Sequence, residues 1–207
     1  MQRDPQAALN ALLGDRWPSL RDRIVRDAGD ARVLPVDDAR AGPAFAASLE
    51  RYWARQADSD RRGLASLWIQ WYAVTVWPVL AGGILSLGRA PPLAGPGVAV
   101  VLEPDGQPRG LQVGGSMEDT GPAAALERLA RAQAAPLVEG VSSRAGMAPR
   151  VGWSNVANVL AWTLAELSGV LTREALEPGR AVLARAHWDD GAPNPLYLPG
   201  PCVVETG

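Results

Sequence analysis

Between Gly63 and Gly88 the sequence reads LASLWIQWYAVTVWPVLAGGILSL, with no charged side chain in it. This stretch constrains the fold more than any other. Its length meets the requirement for a membrane-spanning helix. Its contents fit a buried core helix better. Gln70 lies in its first half, Pro78 interrupts the hydrogen-bond ladder past the midpoint, and Gly82-Gly83 weakens the final turns. Trp68, Trp71 and Trp77 also sit away from the two ends, where a span would concentrate its aromatics. No second hydrophobic segment, no lysine flank and no signal-type segment at Met1 accompany it. The expectation is therefore a core helix with a proline kink, with Trp68 and Trp71 inside, a membrane span being the alternative.

The rest of the composition mainly excludes. At 207 residues the chain suits one domain. A net charge of -2 gives no general attraction to nucleic acid or anionic lipid. All 20 basic residues are arginine, so lysine chemistry is absent. The single cysteine, Cys202, permits no disulfide within the chain and suits a reducing compartment. The single histidine, His187, excludes a three-histidine zinc site, and no serine elbow or GxGxxG loop is present.

Taken in order, residues 1–30 read as short helices, with Leu9, Leu12 and Leu13 on an apolar face and Ser19 to Asp27 as a solvated one. Val33 to Val36 reads as a connector, since Pro35 holds its predecessor extended. Pro43 opens a helix to about Ala57 that buries Phe45, Leu49, Tyr52 and Trp53. After the central helix, Val98 to Leu102 and Gly110 to Val113 form a hairpin across the turn Pro104-Asp105-Gly106. Helix resumes at Pro122 and presents Leu126, Leu129, Leu137, Val138 and Val141, with a possible kink at Pro136. Ser142 to Arg150 reads as a loop. Ser154 or Asn155 then caps a helix whose buried stripe is Val156, Val159, Leu160, Thr163, Leu164 and Leu167. Thr172 and Pro178 start two further short helices, the last closing at His187-Trp188. The fold class expected is mainly α with a small antiparallel β hairpin or sheet, α+β, in one domain over 1–207. Within it, 1–90 is helical around the central helix, 97–114 is the hairpin, 121–190 is helical and 191–207 is a tail.

Three segments carry a resemblance. SLWIQWYAVTVWPVL is similar to the SLW-x-QWY-x(4)-PP-L segment of the FhuF-type ferric-siderophore reductases. GWSNVANVLAWTLAEL, from Gly152 to Leu167, resembles that family's WSN-x(6)-W-x-L segment, and Asn194-Pro195-Leu196 after an acidic run is a third echo. The resemblance implies a protein of cytoplasmic siderophore-iron uptake, with peripheral association at the inner membrane left open. It implies a ferric siderophore as ligand, reduction of its iron, and an electron-donor protein as a further partner; nucleic acid and membrane are not expected as partners.

In that family the electron carrier is a [2Fe-2S] cluster on four cysteines, an adjacent pair and then a CxxC, after the Asn-Pro-Leu segment. This chain has only Cys202 and ends at Gly207. The expectation is that it lacks the four-cysteine motif and carries no cluster or other metal of its own. A looser alignment sets Cys202 and Glu205 in the CxxC places. The catalytic residues stay unassigned. For binding an often anionic siderophore, the candidates are Arg144, Arg150, Trp153 and Asn155 around one loop and helix start, with Arg109 at the hairpin. Each has a plainer reading, as a packed indole, a helix cap or solvated arginines. Three functions stay open: a reductase served by another protein's electrons, a redox-inactive siderophore-binding or accessory protein, and a membrane-associated protein of unrelated function.

Overall fold

The computed structural model describes Ala7 and residues 17–20, 22–55 and 59–198. The leucines Leu9, Leu12 and Leu13 and the tail with Cys202 lie outside these residues. The uncharged stretch forms one helix, α2 (Arg61–Leu87), continuous through Pro78. Asp60 caps its start by accepting from the Arg62 N–H at 3.1 Å, and Gly88, at φ 66°, ends it in the left-handed conformation. It is long and apolar enough to cross a membrane, and most of it is buried inside the fold. The reason is placement: helices, and strand β4 of the sheet described below, pack around it on several sides.

Helix α1 (Pro43–Ala54) buries Phe45, Leu49, Tyr52 and Trp53 as expected and stops three residues short of Ala57. Its core face meets Trp68 of α2, whose ring stands edge-on to Phe45 at 5.7 Å. The hairpin β3 (Ala99–Leu102) and β4 (Pro108–Gln112) is present. Its turn is pinned to the helices. The Trp68 indole donates to the Gly106 carbonyl at 2.9 Å, and Gly106 lies at φ +89°, where a Cβ would come 2.4 Å from the Ser48 carbonyl. Only glycine fits that conformation and that approach.

The sheet is larger than the hairpin. Ile24–Val25 forms β1, parallel to β4, and Arg32–Pro35 forms β2, antiparallel to β3, giving the order β1-β4-β3-β2. Ser19 to Asp27 is therefore not a solvated helix face, and Val33 to Pro35 is a strand rather than a connector. Both strands are too short to show a period of their own. Pairing decides them, and Pro35 is tolerated because β2 is an edge.

Downstream, α3 (Pro122–Arg128) passes through a six-residue π segment, Leu129–Ala134, into α4 (Ala135–Ala145). The wider turn sits just before Pro136, whose ring would otherwise meet the carbonyl of Ala132 in an α-helix. The same segment turns Gln133 inward to accept from the Tyr72 hydroxyl on α2. Burial pushes the Tyr72 phenol far up, against the lowering effect of the neighbouring Trp77 and Gln133 side chains, so it stays a proton donor.

The loop expected over 142–150 shrinks to Gly146–Ala148, because α4 runs to Ala145 and α5 (Pro149–Leu167) starts at Pro149. Neither Ser154 nor Asn155 caps α5. Ala148 is its N-cap and Pro149 its first residue, a proline start that outranks the polar pair. The stripe from Val156 to Leu167 is buried as expected. Helix α6 (Arg173–Ala184) is one helix capped by Thr172, with Pro178 inside it, so Pro178 starts nothing. It ends before His187 and Trp188, which lie in the loop beyond it.

Candidate functional site

Helices α2 and α5 lie side by side and make the most extensive packing contact between helices in the fold. Gly152 permits it: a Cβ there would stand 2.7 Å from Ile69 Cδ1 and 3.0 Å from Val138 Cγ1. Beside this contact lies a groove of about 650 Å³, lined by both helices and on a third side by residues before β1. Gln70, Trp71, Val74 and Thr75 line it from α2, and Asn155, Asn158, Val159 and Trp162 from α5. Trp17, Ser19, Leu20 and Arg23 complete it.

Trp71 is not in the core. It is 45% exposed and Trp162 is 47% exposed, large values for indoles set on helices. The expectation that Trp71 is buried fails because the run's uniform hydrophobicity hides which face of α2 is covered. Trp162 leans on Trp17, ring centroids 5.9 Å apart. Carboxamides stand among the rings at Gln70, Asn155 and Asn158. The guanidinium of Arg23 is held by the Ser19 and Arg109 carbonyls, each at 3.0 Å. No carboxylate, imidazole or thiol stands among the described lining residues. Such a wall suits a bulky polar ligand with flat groups and amide-type hydrogen bonds.

Of the residues singled out from sequence, only Asn155 lines this groove. Arg144 is a clamp: Nη1 donates to the Ala39 and Arg40 carbonyls at 3.0 Å each and to Gly140 at 3.1 Å, and its guanidinium lies 5.4 Å above the Phe45 ring. Trp153 is packed in the core. Arg150 is exposed in the first turn of α5. Arg109 lies across the sheet, beside smaller depressions near Asp30, Arg32 and Glu103. The proposed loop cluster is thus not one site. A helical stripe would have found the groove: Val151, Asn155, Asn158 and Trp162 recur on the face of α5 opposite the buried one.

The other motif residues do structural work. Asn194 Nδ2 donates to the Val182 and Arg185 carbonyls at 2.6 and 2.9 Å, and its Oδ1 accepts from the Leu196 N–H at 3.0 Å. Two guanidinium groups lie over the Trp188 ring, Arg131 at 5.4 Å and Arg185 at 5.1 Å. Arg131 also holds Asp190 through two hydrogen bonds of 2.7 Å. Those bonds, more than the backbone N–H of Ala192, keep the Asp190 carboxyl down at about 2.

Fold and site define a mainly helical single-domain protein with a small mixed sheet and an aromatic, carboxamide-lined groove. The family described as ferric iron reductase FhuF-like transporter matches residues 66–202, more than half of the chain, and the chain belongs to that family. The match begins at Ser66, takes in both walls of the groove and reaches past Asn194. No curated protein matches the chain.

Proposed function

We propose that the chain binds a ferric siderophore in the groove between α2 and α5, in the cytoplasm, and takes part in the reductive release of its iron. One observation supports this above the others. The two segments that mark the family supply both walls of the groove, Gln70 and Trp71 from one, Asn155, Asn158 and Trp162 from the other. The described lining offers iron no carboxylate, imidazole or thiolate, so the metal stays in its chelate while bound. One electron added to the ferric ion then loosens the chelate, because the hard oxygen donors hold ferrous iron less tightly.

A [2Fe-2S] cluster, which the family implies, needs a thiolate donor set. This chain has one cysteine, and among the described residues no group of three or more His, Cys, Asp or Glu could hold a metal ion. These residues do not fit the cluster. On this reading a partner electron-donor protein delivers the electron, and the chain's own part is to bind and orient the chelate on its indoles. The single thiol equally favours a second reading, a siderophore-binding accessory protein without redox activity.

Tryptophan fluorescence during titration with several ferric siderophores tests the binding. Quenching is expected, with affinity lowered about tenfold or more in Trp71→Ala, as for an exposed aromatic anchor. Absence of quenching by every chelate would end the siderophore reading. A ferrous-iron trap, with and without a reduced low-potential carrier, then separates the two readings. Iron released only with the carrier supports reduction, and binding without release supports the accessory role.

A further inference from the structure

We infer that the groove selects ferric chelates that present a neutral N–H donor of the secondary-amide type, received by Oδ1 of Asn155. The inference rests on the groove being the chelate's site. Asn155 sits in the second turn of α5 and lines the groove. Its Nδ2 donates to the Ser66 carbonyl at 2.9 Å and to Ser66 Oγ at 3.0 Å. A backbone carbonyl can only accept, so the amide nitrogen must face Ser66 and the oxygen must face away from it. Oδ1 has no partner among the described residues. A carbonyl oxygen with no protein partner, on a residue that lines the groove, can accept from a ligand that brings a donor.

Two further features point the same way. Pro78 lacks the N–H that would bond the Val74 carbonyl, and Val74 lines the α2 wall of the groove. A residue of this wall thus has a carbonyl without its usual helical donor. Charge then decides the kind of donor. With no carboxylate in the described lining and Arg23 present, an ammonium group would lose hydration without a counter-charge. Hydroxyl and hydroxamate oxygens are already bound to the iron. A secondary amide brings a neutral N–H and a flat face that can lie on Trp71 or Trp162. Ser66 is then a positioning residue, acting only by fixing which end of the Asn155 amide is free.

The test uses two neutral ferric tris-hydroxamates, one with secondary amides in its linkers and one with those amides replaced by esters of nearly the same size. The wild-type chain should bind the amide chelate roughly five- to tenfold more tightly. In Asn155→Leu this preference should vanish. In Ser66→Ala the backbone carbonyl that orients the amide is kept and only the Oγ contact is lost, so the preference should persist. A purely structural role for Asn155 would weaken both chelates by the same factor in Asn155→Leu. Equal binding of the two by the wild type would overturn this inference and leave the siderophore reading standing. Binding of neither would overturn both. A preference that persists in Asn155→Leu would remove Asn155 from the site.

Discussion

The groove between α2 and α5 and the segment after α6 use the same residue types to opposite ends. In the groove, Trp71 and Trp162 stand half-exposed, and the Asn155 oxygen has no partner among the described residues. After α6, Trp188 is buried with two guanidinium groups over its ring, and the Asn194 amide uses both its donor and its acceptor within the chain. All of these residues, Trp71, Trp162, Asn155, Trp188 and Asn194, lie in the stretch that the family model matches. The contrast teaches that a motif residue is not a site residue until its partners are counted. A satisfied amide holds the chain together, and an unsatisfied one waits for something else.

The sharpest way to break the comparison is between two tryptophans three residues apart. Trp68 is fully buried and holds the hairpin turn through Gly106. Trp68→Ala should cost about 3–5 kcal/mol of stability by denaturant unfolding, as large core truncations do. Trp71→Ala should cost under about 1 kcal/mol, because the ring is 45% exposed, while weakening ligand binding. Comparable stability losses in the two variants would place both rings in the core and remove Trp71 from the groove.

That pair also marks how far the sequence was legible. The central helix, α1, the hairpin and the buried stripe of α5 followed from periodicity and turn chemistry, signals that are local. Strands β1 and β2 did not, since two to four residues carry no period and only distant partners define them. Of the groove, Asn155 was singled out, and for the wrong neighbourhood. Arg144 reads in sequence as a ligand-binding cation, but the Ala39 and Arg40 carbonyls, more than a hundred residues away, occupy it. The face of α2 that carries Trp71 could not be told apart, because hydrophobicity surrounds the whole helix.

At the other end of the comparison, Asn194→Ala should cost about 2 kcal/mol. It removes two donors from carbonyls at the end of α6 and the acceptor that turns the chain at Leu196. Siderophore affinity should stay within about twofold, since Asn194 lies outside the groove lining. A large loss of affinity with stability unchanged would make this segment part of the site and dissolve the contrast.

The smallest effect expected is the pH response of the ion pair over Trp188. Asp190 has its folded-state pKa lowered to about 2, first by Arg131. A lowered carboxyl pKa means that the pairing stabilises the fold above the unfolded value, near 3.9, and that this contribution disappears as pH falls toward 2. Both partners are open to solvent, so screening keeps the contribution small. Thermal melts of the wild type and Asp190→Asn from pH 5 to pH 2 isolate it, because every other carboxyl titrates in both. The wild type should melt slightly higher at pH 5, the gap should close toward pH 2, and added salt should narrow it at pH 5. A gap that stays constant over the whole range would mean that Arg131 does not hold the Asp190 carboxylate.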